Sequence, residues 1–183
     1  MREILIVGGT SSKLCRAIAP PLRKLNRGQV SCYFEDQFGW YHEKGIDWQN
    51  IVFILIGLSS GSANKDSKLF KIEHDILRNA LARKIPIGIV RDPHGKITAP
   101  HLVGGVLDAI SLVVAKESNE GCELGGLYPN AHILTANAAG VHDAGEIAEA
   151  IARLLPEHKM IGEGVRQVPR GPVGGWASSA MTD

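Results

Sequence analysis

The chain has 183 residues, 44% of them hydrophobic and 21% charged, with a formal net charge of +1. That length suits one domain with a sizeable core. The charge balance leaves no strong field to hold a nucleic-acid backbone or an anionic membrane, so neither is expected as a partner.

In chain order, ILIV at 4–7 predicts a strand at once, with no secretory apolar region expected ahead of it. It lacks polar alternation, as strands buried on both faces do. GGTSS follows, with Gly8, Gly9, Thr10, Ser11 and Ser12 between this strand and a helix expected over Ser12–Ala19. Such a loop is compatible with an anion held by backbone N–H groups. GGTSSK has the spacing of neither GxGxxG nor GxxxxGK[ST], and a plain strand-to-helix turn reads equally well. Pro20 and Pro21 predict a break before a second helix over Pro21–Leu25. A strand over Val30–Phe34 leads into YFEDQFGWYHEKGIDW, which holds six of the ten aromatic residues. That density predicts an overhang at the strand end. Trp40 and its neighbours would stack there on a base or sugar ring, or bury a subunit contact.

IVFILI at 51–56 is the second strand without alternation and the longest apolar run, far too short to span a bilayer. Behind it comes a second Gly/Ser loop, GLSSG, with Ser59 and Ser60. A helix follows over Ser67–Lys84, where Leu69, Ile72, Ile76, Leu77 and Ala80 form one apolar stripe. At about 100° per residue, Glu73 falls inside that stripe. A carboxylate facing the sheet must be paired or protonated. It is a candidate nucleophile or general acid, or else one half of a structural ion pair with a residue such as Arg91. The strand Ile87–Val90 ends at Arg91, Asp92 and His94. With His101 these form the one histidine cluster worth naming, and no metal is expected there. Then come a helix over Ala99–Leu107, a strand over Ile110–Ala115, a helix over Asn119–Leu127, a strand over His132–Thr135 and a helix over Ala144–Leu155. From 157 to 183 the chain turns rich in glycine and proline, and alone such a tail reads as disordered. Cys15, Cys32 and Cys122 are an odd set without CxxC spacing. This argues against a disulfide framework and fits a reducing cytoplasm.

Strand–helix alternation at this spacing predicts an α/β domain over 1–156, a doubly wound, mostly parallel sheet of about six strands in a Rossmann-like sandwich. The two strands without alternation would sit side by side at its centre, with the strand between them in sequence on the outer side. Strand order then reverses between them, and in open α/β sheets a ligand crevice lies at that point, beyond the carboxyl ends. The two Gly/Ser loops would wall it. Ser11, Ser12, Ser59 and Ser60 would hold phosphate or sugar hydroxyls, and Arg91 would neutralise a phosphate.

AISLVVAKESNEGCELGGLYPNAHILTANAAGVHD resembles the end of the N-terminal half of GT-B glycosyltransferases, with its pattern P-x-A-x-V-x-x-x-x-N-G-V-D. Pro129, Asn130, Ala131, Ile133, Asn137, Gly140, Val141 and Asp143 are the corresponding residues, and AGEIAEAIARLL is similar to the closing helix of many such enzymes. RKIPIGIVRDPHG stands where that family carries a strand with the pattern G-[IK]-P. The family's second half binds most of the nucleotide-sugar donor, so the resemblance implies that a lone half works with a dimer partner or does something else. DSKLFKIEHDILRNALARKIPIGIV is similar to the nucleoside 2-deoxyribosyltransferase pattern D-[SP]-G-T-x-x-E-x-G-x-A, on Asp66, Ser67 and Glu73. The glutamate of that family is a nucleophile, which implies that Glu73 attacks an anomeric carbon. The expected function is therefore binding of a nucleotide, nucleoside or nucleotide-sugar at the strand ends, with glycosyl transfer or N-glycoside cleavage as its chemistry and no cofactor. The competing expectation is a non-catalytic sensor or assembly module acting as a homo-oligomer.

Overall fold

The computed structural model describes residues 2–8, 13–25, 29–34, 45–91, 104–115, 126–135 and 144–155. Six strands form one sheet in the order β2-β1-β3-β4-β5-β6, and every pairing in it is parallel. They are β1 (Glu3–Gly8), β2 (Gln29–Phe34), β3 (Ile51–Gly57), β4 (Ile87–Val90), β5 (Ile110–Ala115) and β6 (His132–Thr135). Among the described residues the helices are α1 (Lys13–Leu25), α2 (Lys68–Arg83), α3 (Gly105–Ala109) and α4 (Ala144–Leu154), with a 3-10 turn at Ser60–Ala63. This is the doubly wound α/β architecture expected of the alternating pattern.

Successive residues of a strand point to opposite faces, and here both faces are covered. Leu5, Val7, Ile54, Ile56, Ile87 and Ile89 pack with Leu69, Ile72, Ile76 and Ala80 of α2. Ile4, Ile6, Phe53, Leu55, Leu112 and Val114 pack on the other side with Ile18 and Leu22 of α1 and Ile147 and Ile151 of α4. ILIV and IVFILI lack polar positions because neither strand has a wet face. They are direct neighbours, paired from Glu3↔Ile51 to Gly8↔Gly57, with β2 on the outer side of β1.

Gly88 explains how the central strands close up. A Cβ there would lie 2.9 Å from Phe53 Cζ and 3.0 Å from Leu55 Cδ1. The Phe53 ring thus occupies the space that a side chain on the next strand would need.

Two expected helix boundaries are corrected. The break at Pro20–Pro21 is absent, and α1 runs through both prolines. Pro20 is exposed and Pro21 half-buried, whereas Cys15, Ile18, Ala19 and Leu22 are buried on the opposite stripe. The hydrogen bonds that prolines forfeit belong to the outward side, and packing of the inward stripe keeps the helix in phase. A helix from 99 through 107 is also excluded, because Gly104 takes φ 55 and ψ −128 and interrupts it; α3 begins after this residue. Residues 99–103 lie outside the described residues, as do most of the helix expected at Asn119–Leu127 and the tail at 157–183. Helix α2 matches its expected limits. The Ser67 side chain accepts a hydrogen bond from the Phe70 N–H at 3.0 Å, and Lys84 closes the other end at φ 57. Ser67→Ala should lower the unfolding free energy by about 1 kcal/mol in urea denaturation. Among the described residues no helix is long and apolar enough to cross a membrane.

Candidate functional site

The carboxyl ends of the strands form a register row: Phe34, Gly8, Gly57, Val90, Val114 and Leu134. Its second and third members, one on each side of the strand-order reversal, are glycines without side chains. The exits from β1 and β3 also diverge. The chain leaving Gly8 passes to α1 on one face of the sheet, and the chain leaving Gly57 passes to α2 on the other. Such divergence is the physical origin of a crevice at a reversal of strand order.

Past Gly57, the Leu58 N–H donates to Val90 O at 2.9 Å, which extends the pairing by one residue. A tight turn follows. Ser62 N–H donates to Ser59 O at 2.9 Å, and Ser59 N–H donates to Ser62 Oγ at 3.1 Å. The Ser62 hydroxyl donates in turn to Glu73 Oε1 at 2.8 Å. Ser59, Ser62 and Glu73 are the buried polar or charged residues among those described, and Glu73 is 0% exposed. The carboxylate therefore lies inside the apolar stripe of α2, as its helical phase predicts. One partner it meets is Ser62, at the base of the β3 turn.

Arg91 directly follows β4, half-buried, with its N–H on Val114 O at 3.0 Å. Its guanidinium charge acts on Tyr128, a buried residue beside β5 and β6. Burial pushes the Tyr128 phenol above the ordinary tyrosine range, and Arg91 partly offsets that rise. Burial, followed by the Glu3 charge, also raises Tyr33. A phenol whose pKa is higher folded than unfolded contributes stability that is complete below about pH 10 and fades as pH climbs through the folded value. Stability measured against pH should fall in that alkaline window. Tyr128→Phe should make the fall shallower, leaving the shares due to Tyr33 and to the Cys32 thiol, which burial also raises.

At the β2 side of the rim, the Arg16 guanidinium lies 4.0 Å from the centroid of the Phe34 ring. Arg23 reaches Cys32 Sγ at 3.7 Å. Burial raises the Cys32 thiol, and the charges of Arg23 and Arg16 oppose this. Alkylation of Cys32 at neutral pH should accordingly be slower than that of a free thiol and should accelerate as pH rises.

Of the expected site residues, Gly8, Ser59 and Arg91 stand at this edge, and Glu73 is tied to it through Ser62. Ser60 belongs to the 3-10 turn. Gly9, Thr10, Ser11, Ser12, Trp40, Asp92 and His94 lie outside the described residues, as does His101. Among the described residues no group of His, Cys, Asp or Glu is arranged to hold a metal. The aromatic stretch does not stay wholly at the rim. Trp48 packs near the start of β3, with Arg83 at 5.5 Å from its ring, at the amino edge of the sheet. Parallel strands require this, since the connection from β2 must travel back along the sheet before β3 can begin. Ser62 and Tyr128 were not anticipated. A third hydroxyl in GLSSGSAN, three residues after Ser59, was the available signal for Ser62, because serine side chains close such turns.

Fold and rim together define a Rossmann-like α/β protein whose strand order reverses between two glycine-ended strands. No protein-family model and no curated protein matches this chain.

Proposed function

We propose that this protein binds a nucleotide, nucleoside or nucleotide-sugar at the carboxyl ends of β1 and β3. One observation carries the reading: at the reversal of strand order, Gly8 and Gly57 are register partners whose chains depart to opposite faces. Backbone free of side chains can approach a phosphate or a sugar closely. Arg91 and Arg16 are cations on the two sides of this gap and suit an anionic group. The proposal stops at binding. A covalent role for Glu73 would require its carboxylate to part from Ser62 and meet the ligand, and its full burial favours a supporting role instead. The odd cysteine set supports a cytoplasmic setting.

Thermal unfolding against uridine, UMP, UDP, ADP and UDP-glucose tests the reading. A ligand that binds the folded state raises the melting temperature by mass action, with about 2.7 kcal/mol of added stability at a hundredfold excess over Kd. A concentration-dependent rise with at least one compound is expected. No response from any of them, together with a dimer in solution, would replace this reading with the assembly module.

A further inference from the structure

We propose that Glu73 is a positioning residue, which acts on the ligand by holding the β3 turn in shape through the Ser62 hydroxyl. This rests on the binding reading above and assigns Glu73 a part in that site.

The location of the carboxylate is the first reason. Leu69, Ile72, Ile76, Leu77 and Ala80 surround its position on α2 with buried apolar side chains. A leucine at 73 would continue the stripe but would leave the Ser62 hydroxyl without this acceptor. A carboxylate at 73 thus serves the turn rather than the apolar stripe.

The hydrogen-bond directions give the second reason. The Ser59 N–H can only donate, so Ser62 Oγ must accept from it, at 3.1 Å. The Ser62 hydroxyl proton is then free to donate elsewhere, and it goes to Glu73 Oε1 at 2.8 Å. With the Ser62 N–H on Ser59 O at 2.9 Å, the turn is closed from both sides. Glu73 fixes the rotor at the centre of this arrangement. Without an acceptor at 73 the Ser62 hydroxyl can rotate, and its lone pairs no longer have to meet the Ser59 amide. The turn that begins one residue past Leu58 would then sample other shapes at the crevice wall.

The test uses the full chain with Ser62→Ala, Glu73→Leu and Glu73→Gln, the last of which keeps an acceptor oxygen. Two quantities are read: hydrogen exchange of the Ser59 amide by NMR, and affinity for whichever of the five compounds binds the wild type. Exchange at Ser59 should quicken about tenfold in Ser62→Ala and in Glu73→Leu, and stay near wild type in Glu73→Gln. Affinity should drop by a similar factor in the first two variants, and no further when they are combined. If Glu73→Leu fails to fold, Ser62→Ala and Glu73→Gln still decide the matter. Unchanged Ser59 exchange in Ser62→Ala would overturn the proposal. So would loss of binding in Glu73→Gln with Ser59 exchange intact, because the carboxylate would then act on the ligand directly. If none of the compounds binds the wild type, the binding reading and the ligand role of Glu73 fail together, while Ser59 exchange separately decides whether Glu73 holds the turn.

Discussion

Phe53→Ala is expected to lower the unfolding free energy by about 3–5 kcal/mol. Phe53 is fully buried in β3, and its ring reaches across to β4, where Gly88 leaves room for it. Truncation removes the ring and leaves a gap bordered by a glycine, which has no side chain to relax into it. For a chain of this size a loss of that order lowers the melting temperature on the order of 10 °C. The reverse change, Gly88→Val, should cost about 1–3 kcal/mol, because the nearest ring atom already stands 2.9 Å from where a Cβ would be. The two effects are not independent. In a Phe53→Ala background the penalty of Gly88→Val should shrink, with Leu55 as the remaining obstacle. Urea denaturation of the four members of this cycle measures the coupling. Strict additivity would mean that ring and glycine do not share the space.

Arg91→Ala is expected to weaken phosphate-bearing ligands roughly 10- to 100-fold, in line with about 1.5–3 kcal/mol for a charge-assisted hydrogen bond. Nucleosides without phosphate should lose little. The contrast between UDP and uridine, measured by calorimetry on wild type and variant, separates a phosphate contact from a general disturbance of the rim. Equal losses for both compounds would show that Arg91 supports the edge of the sheet and does not contact the phosphate. A parallel measurement of stability against urea guards against that confusion, since the Arg91 charge also acts on Tyr128.

Much of this architecture could be read from the chain before any coordinates. ILIV and IVFILI announced burial on both faces, and burial on both faces put them side by side in the interior of the sheet, with β1 one strand in from its edge. The phase of α2 placed Glu73 among Leu69, Ile72 and Ile76, and the carboxylate is buried there. What could not be read was the contact with Ser62. A helical phase gives a direction but not the residue that waits in that direction, and Ser62 arrives there only because the chain folds into a tight turn after β3. The proline pair misled because the rule against proline concerns the hydrogen-bond ladder, whereas α1 is held by its inward stripe. Trp48 was grouped with the rim by adjacency in sequence, although a connection between parallel strands must visit both edges.

The most direct measurement is amide chemical-shift mapping of the isotope-labelled full chain during titration with whichever of UDP, UMP, uridine, ADP or UDP-glucose raises the melting temperature. Saturable shifts should gather at Gly8, Gly57, Leu58, Ser59 and Arg91. Shifts gathered instead at the amino edge, around Glu3, Trp48 and Ile51, would contradict a site at the strand-order reversal, and so would an absence of shifts with every compound.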